Sequence, residues 1–183
     1  MKKIFSFLFE IFKIVILALL IVIPIRYFIF QPFIVRGASM EPNFNQGDYL
    51  IVDQLSYRMR EPKRGEVVVF KYPKRPGARF IKRIVGLPGE TIEIEDGQIK
   101  ISKEGEIKIL KENSYSIIAD KRKRELKIEL GEDEYFVLGD NRVASFDSRV
   151  FGAIPRKYIV GRVILRLWPI KKIGWFKTPV YSL

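Results

Sequence analysis

The sequence predicts a mainly β protein. The expected architecture is antiparallel β-sheets closing into a barrel-like domain with a small peripheral β lobe, preceded by one N-terminal transmembrane helix. Three observations carry this expectation. The first thirty residues hold a single long apolar run, and from Gln31 onward short runs of alternating apolar residues are broken by Gly, Pro and Asp. After the apolar run no stretch of ten residues shows helical periodicity. A chain of 183 residues, 48% hydrophobic and 30% charged, suits one packed domain plus an appendage and argues against general disorder.

The elements follow in order. Ile14 to Ile25 is uncharged, between Lys13 and Arg26. Twelve residues rise only about 18 Å, short of a hydrocarbon core of roughly 30 Å. Extension from Ile11 to Phe30 brings the run to twenty residues and about 30 Å, with Lys13 and Arg26 snorkelling toward the interfaces and Glu10 pairing with Lys13 or Lys3. Lys2, Lys3 and Lys13 precede the run, so the positive-inside rule places the N-terminus in the cytoplasm, although Arg26 and the basic remainder pull the other way. A buried core helix and an in-plane amphipathic helix remain alternatives, and a cleavable leader is disfavoured because Tyr27 to Val35 is bulky throughout. The expected division is residues 1–30 as N-terminus and anchor and 31–183 as one β-rich domain.

Within that domain the alternating runs Tyr49–Val52, Glu66–Tyr72, Phe80–Val85, Thr91–Glu95, Gln98–Ile101, Ile107–Lys111, Leu126–Leu130 and Tyr135–Leu138 read as strands, and Tyr158–Leu167 as a longer one. Asp96-Gly97 between two such runs is a hairpin signal. Residues 90–134, alternating and highly charged, form the expected peripheral lobe.

Composition narrows the chemistry sharply. With Cys 0 and His 0, the chain can build no disulfide, thiolate nucleophile, Cys/His zinc site or Ser-His-Asp triad. A carboxylate-held metal stays possible, but nothing in the sequence calls for a metal or a cofactor. Any acid or base working near neutral pH must be a Lys, Tyr, Asp or Glu with a shifted pKa. The formal charge of +12 favours anionic partners. Lys121-Arg122-Lys123-Arg124 and the group Arg58, Arg60, Lys63 and Arg64 could meet anionic lipid headgroups, or simply be solvated loops. No nucleic-acid recognition module is visible, and no nucleic-acid partner is expected.

Three segments stand out as carriers of chemistry. Ser39 lies in Arg36-Gly37-Ala38-Ser39-Met40-Glu41-Pro42, where small neighbours let a substrate backbone approach the hydroxyl. Lys82 shares a strand face with Phe80 and Ile84, so it is a candidate for burial and for loss of its proton. The segment Gly139 to Arg149 is dense in Asp, Asn, Arg and Ser between apolar stretches, as befits an ordered polar network. Each segment alone fits an ordinary strand, turn or surface loop.

Together, and in this order, the segments resemble the motifs of type I signal peptidases, the Ser/Lys proteases that remove signal peptides from exported proteins. The resemblance rests on Ser39, Met40 and Pro42; on Gly47-Asp48-Tyr49-Leu50-Ile51-Val52; on Lys82, Arg83, Gly86, Pro88 and Gly89; and on the complete run Gly139-Asp140-Asn141-Arg142 through Ser145, Asp147, Ser148 and Arg149. Gly161-Arg162 through Trp168-Pro169 and Ile173-Gly174 resemble the family's last strand and tail.

The resemblance implies a membrane-bound serine endopeptidase. Ser39 is the implied nucleophile and neutral Lys82 the general base. Ser145 aligns the Lys82 amine, Asp147 and Arg149 form a supporting ion pair, and Arg83 is structural. The Ser39 backbone N–H is one oxyanion donor. Gly37 stands where some members carry a serine that supplies the second, so that donor is uncertain. Asn43 replaces the family's usual Thr with little expected effect, and the region between Gly89 and Gly139 is shorter than usual. The implied substrate is a preprotein signal peptide bound as an extended strand, with small residues at the first and third positions before the cut. Val35, Met40, Phe80 and Ile81 are the candidate pocket walls, or equally plain core. The implied location is the cell membrane, single-pass, with the catalytic domain on the extracytoplasmic side. Phe33, Trp168, Trp175 and Phe176 are candidates for dipping into the interface.

Overall fold

A computed structural model describes residues 2–24, 29–112, 125–176 and 178. Helix α1 runs Lys2–Pro24. Its apolar stretch Ile4–Pro24 has 21 residues and a mean hydropathy of 2.7, and none of it is buried against the rest of the protein. That length reaches about 31 Å, enough to span a bilayer. The helix thus starts well ahead of the expected Ile11, whereas Phe30, expected at the end of the span, belongs to a strand, and residues 25–28 of the expected span lie outside the described residues. Ile4, Phe5, Phe7, Leu8 and Phe9 continue the apolar surface across Glu10 and Lys13, and Lys13 lies 5.1 Å above the Phe9 ring one turn back. The helix is described as far as Pro24.

Two antiparallel sheets follow. The larger contains β1 (Phe30–Ile34), β2 (Tyr49–Asp53), β3 (Val67–Tyr72), β4 (Arg75–Gly86), β9 (Glu134–Leu138), β10 (Ile154–Pro155), β11 (Ile159–Trp168) and β12 (Gly174–Trp175). Its order is β1-β2-β11-β3-β4-β9-β10, with β12 also on β11. The smaller sheet is β7 (Glu106–Ile109), β6 (Gln98–Lys103), β5 (Thr91–Glu95) and β8 (Leu126–Glu129), in that order. The helices α2 (Ser56–Met59) and α3 (Ser148–Phe151) are single turns.

All nine expected strands form, because alternation is a faithful signal wherever one face is buried. Three strands and the outer half of β4 escaped it. β1 reads as the tail of an apolar run interrupted by Gln31 and Pro32, β10 and β12 have two residues each, and Arg75–Arg79 is a Pro/Gly/Arg stretch without alternation. Among the described strands the large ladder is open, with β1 and β10 at its ends, so the expected closure into a barrel is not seen. Pro32 suits an end strand, because it has no N–H to give to a further neighbour.

Period-two alternation sorts the core. From β3, Val67 and Val69 enter a cluster with Met40, Phe44, Leu50 and Ile81, whereas Val68 and Phe70 enter another with Ile84, Tyr135 and Val137. A third cluster, built on Ile92, Ile101, Leu130 and Phe136, joins the small sheet to the large one. The first of these clusters lies directly beneath Ser39.

Candidate active site

Ser39 is carried by the loop between β1 and β2. The loop is closed at its base by paired hydrogen bonds, Val35 N to Asp48 O at 3.0 Å and Gly47 N to Val35 O at 3.0 Å. Met40 and Phe44 are fully buried and anchor it from below, and Phe44 N donates to Met40 O at 2.9 Å. Gly37 has φ +83°, a left-handed conformation that side chains adopt at a cost. Asn141 N donates to Ser39 O at 3.1 Å, which ties the loop to the Gly139–Arg149 segment. The half-buried Ser39 hydroxyl is thus presented from a fixed backbone.

Lys82 reaches it from β4. The side chain is 4% exposed, and its Nζ donates to Ser39 Oγ at 2.7 Å and to Ile81 O at 2.9 Å. Phe80, on the same strand face, lies with its ring centre 5.7 Å from Nζ. Burial pushes the Lys82 amine down to about 8 from 10.5, against the opposing pull of the Asp147 and Asp140 carboxylates. Roughly one molecule in ten then carries a neutral amine at pH 7. In that form the 2.7 Å contact lets the Ser39 hydroxyl donate to the amine, the geometry that general-base attack requires.

The remaining motif residues form a scaffold around this pair. Arg83 points to the opposite face of β4 and grips Asp140 with two bonds, Nε to Oδ1 at 2.8 Å and Nη2 to Oδ2 at 2.7 Å, while Nη1 donates to Gly65 O at 2.9 Å. Asp140 Oδ2 also accepts from Asn43 Nδ2 at 2.9 Å, a bond that a threonine hydroxyl could also donate. Asp147 is fully buried. It pairs with Arg149 through Nε and Nη2, both at 2.8 Å, and accepts Gly139 N at 3.1 Å. Arg149 in turn donates to Arg142 O at 2.6 Å.

Ser145 is placed where the motif suggests but is not bonded as the resemblance implies. Its Oγ is buried against Gly139 with no hydrogen-bond partner among the described residues, so no bond to Lys82 is seen. Gly139 has no room for a side chain: a Cβ there falls 2.3 Å from Ser145 Oγ and 2.4 Å from Ser39 O.

A cleft of about 740 Å³ opens over Ser39 and Lys82. Pro32, Phe33 and Ile34 of β1 form one wall, and Gly77 to Ile81 of β4 form the other. Phe80 and Ile81 are among its lining residues. Val35 and Met40 are not: both are core residues beneath the Ser39 loop, because the turn at Gly37 directs them inward. Sequence reasoning missed Phe146, whose half-exposed ring packs on Phe80 and Tyr72 at the rim, and the small residues Gly77 and Ala78. Asp140 and Asn43 join the site, through Arg83 and through each other, which sequence reasoning also missed. The paired motif positions of Arg83 and Asp140 were the available signal, since a buried arginine demands a carboxylate.

Surface expectations divide in the same way. Trp168 and Trp175 are exposed, with Ile170 and Ile173 between them. Phe176 instead packs on Phe44 at 4.4 Å between ring centres, and Phe33 packs against the same core. Of the basic group, Arg60 is committed to Glu66 at 2.5 Å and Arg64 to Glu90, so these two are not a free headgroup surface. Residues 121–124 lie outside the described residues.

The family model described as "Signal peptidase, peptidase S26" matches residues 8–168. The chain is 36% identical over 170 residues to the probable signal peptidase I-2 of Synechocystis, covering 90% of this chain and 75% of that protein. It is 37% identical over 169 residues to signal peptidase I V of Bacillus subtilis, covering 88% and 96%. It is 34% identical over 171 residues to signal peptidase I of Leptolyngbya laminosa, covering 89% and 81%.

Proposed function

The chain belongs to the signal peptidase family, peptidase S26, and from that premise we propose how its residues carry out the cleavage of signal peptides from exported preproteins. The enzyme is a serine endopeptidase. Ser39 attacks the scissile carbonyl while the neutral Lys82 amine takes the hydroxyl proton. The resulting ammonium protonates the leaving amine, and a water then hydrolyses the ester with the same lysine as base. The observation that carries this reading is a buried lysine, with its pKa lowered to about 8, standing 2.7 Å from a serine hydroxyl at the floor of an open cleft.

The remaining roles follow from position. The Ser39 backbone N–H donates to the oxyanion. Ser145, whose buried hydroxyl has no hydrogen-bond partner among the described residues, aligns the Lys82 amine on substrate binding. Asp140 with Arg83 holds the two motif segments in register, and Asp147 with Arg149 fixes the fold of the Gly139–Arg149 segment itself. β9 pairs with β4 only from Arg83 onward, and β1 ends its sheet, so both walls of the cleft offer unpaired backbone groups to an extended peptide. A substrate strand lying there meets Phe80 and Ile81, which leave space for small side chains only. Helix α1 anchors the protein. Lys2 and Lys3 keep the N-terminus cytoplasmic and the β-rich domain, residues 31–183, on the far side, where Trp168 and Trp175 enter the membrane interface.

Incubation of the detergent-solubilised protein with an exported precursor, followed by sequencing of the new N-terminus, tests this. The expected cut follows a small-x-small triplet. Ser39→Ala and Lys82→Ala each reduce turnover by at least about 10³-fold, as loss of nucleophile or base does in other hydrolases. Near-native cleavage by either variant overturns the assignment.

A further inference from the structure

We infer that the cleft reads charge as well as size: Arg36 and Arg79 favour precursors with an acidic side chain within a few residues of the cut and disfavour basic ones there. The inference rests on the signal-peptide reading of the same site. Arg36 sits three residues before Ser39 at the end of the β1 wall, and Arg79 three residues before Lys82 on the β4 wall. They and Lys82 are the charged residues lining the cleft, and no carboxylate lines it. Both arginines are exposed, and neither has an ion-pair partner among the described residues.

Of the nearby acids, Glu41 follows Ser39 on the same loop but does not line the cleft. Asp140 and Asp147 are fully buried and already held by Arg83 and Arg149. From Val67 to Gly86 the chain has no Asp or Glu, while Lys71, Lys74 and Arg75 add positive charge to the exposed half of the same hairpin. In the reactive form Lys82 is neutral, so the charge a bound peptide meets is that of the two arginines. A peptide threaded between β1 and β4 passes both. Its acidic side chains gain attraction, and its basic ones meet two unpaired guanidinium groups while losing water to the apolar walls.

The test uses the full-length enzyme in neutral detergent with precursors that keep the small-x-small triplet and carry Glu, Gln or Lys at one nearby position at a time. Exposed pairs of this kind shift kcat/KM by about two- to fivefold per arginine and are screened by salt. At one or more positions Glu is therefore expected to outrun Lys, by a ratio that shrinks between about 0.05 and 0.5 M salt. In the Arg36→Glu/Arg79→Glu double variant, each rate is taken relative to the Gln precursor in that variant, and the order of Glu and Lys inverts. Should the double variant not fold by circular dichroism, Arg36→Gln and Arg79→Gln singly must each bring the ratio closer to one. A wild-type ratio of one at every position overturns the inference, as does a ratio unmoved by the substitutions. A preference seen only when anionic-lipid vesicles replace the detergent also overturns it, because the arginines then serve headgroups. If the wild-type enzyme leaves even the Gln precursor uncut, the signal-peptide reading itself falls and takes this inference with it.

Discussion

Lys82 is the proposed general base, and its environment predicts a pH dependence. Its native pKa of about 8 lies below the 10.5 of a free lysine because burial disfavours the ammonium. The reactive form is the amine, so kcat/KM should rise about tenfold per pH unit below that value and level off above it. Asp147 is the larger of the two charges that resist the shift, so Asp147→Asn should move the rising limb to lower pH, with a loss of stability from removing the carboxylate paired with Arg149. A pH–rate profile of both proteins checks this. A limb that moves upward in the variant, or a wild-type rate that is flat from about pH 6 to 10, contradicts the assignment of Lys82 as base. The shift also couples to folding. The native state binds fewer protons at Lys82 than the unfolded chain between about 8 and 10.5, so this group makes the fold more stable as pH rises through that window.

Among the elements, the contact between the Ser39 loop and the loop after β9 decides whether the pair can form. Gly139 lies at that contact, where an added methyl meets the Ser39 carbonyl and the Ser145 side chain. The Gly139→Ala variant should lose about 1–3 kcal/mol and displace the nucleophile, so that kcat falls far more than the thermal midpoint suggests. Gly86 is the informative comparison. A Cβ there meets the side-chain ends of Leu130 and Ile92, which can shift, whereas Gly139 faces backbone. The Gly86→Ala variant is therefore expected to keep more activity than Gly139→Ala at equal loss of stability, as parallel thermal melts and initial rates will show.

For the whole molecule, the helix and the sheets are energetically separate. No part of Ile4–Pro24 is buried against the described domain, whose core lies in three clusters between and within its sheets. Removal of residues 2–24 should abolish sedimentation with membranes and leave the thermal midpoint of the β-rich part within about 2 °C. A larger drop would mean that the helix contributes to the fold as well as to the membrane. The exposed Trp168 and Trp175 face solvent in that truncated protein and should still bring it to lipid vesicles weakly, measured as a blue shift of tryptophan emission.

Much of this architecture could be read along the chain, because its signals are local. Alternation located β2 through β9 and β11, the absence of Cys and His excluded the thiol and histidine chemistries, and the resemblance of the motif segments singled out Ser39 and Lys82 before any contact was known. The helix was legible as an apolar run, but its start was not, because a single Glu10 or Lys13 does not end a helix whose surroundings are lipid. Proximity was decided only by the tertiary structure. Ser39 and Lys82 stand 43 positions apart and meet because β2, β11 and β3 order the large sheet between their strands. The same turn that exposes Ser39 sends Val35 and Met40 into the core, and the open edges of β1 and β4 leave a cleft where a closed barrel was expected. Local pattern specifies which face of a strand is buried, but which strands become neighbours depends on how all the buried faces are satisfied at once.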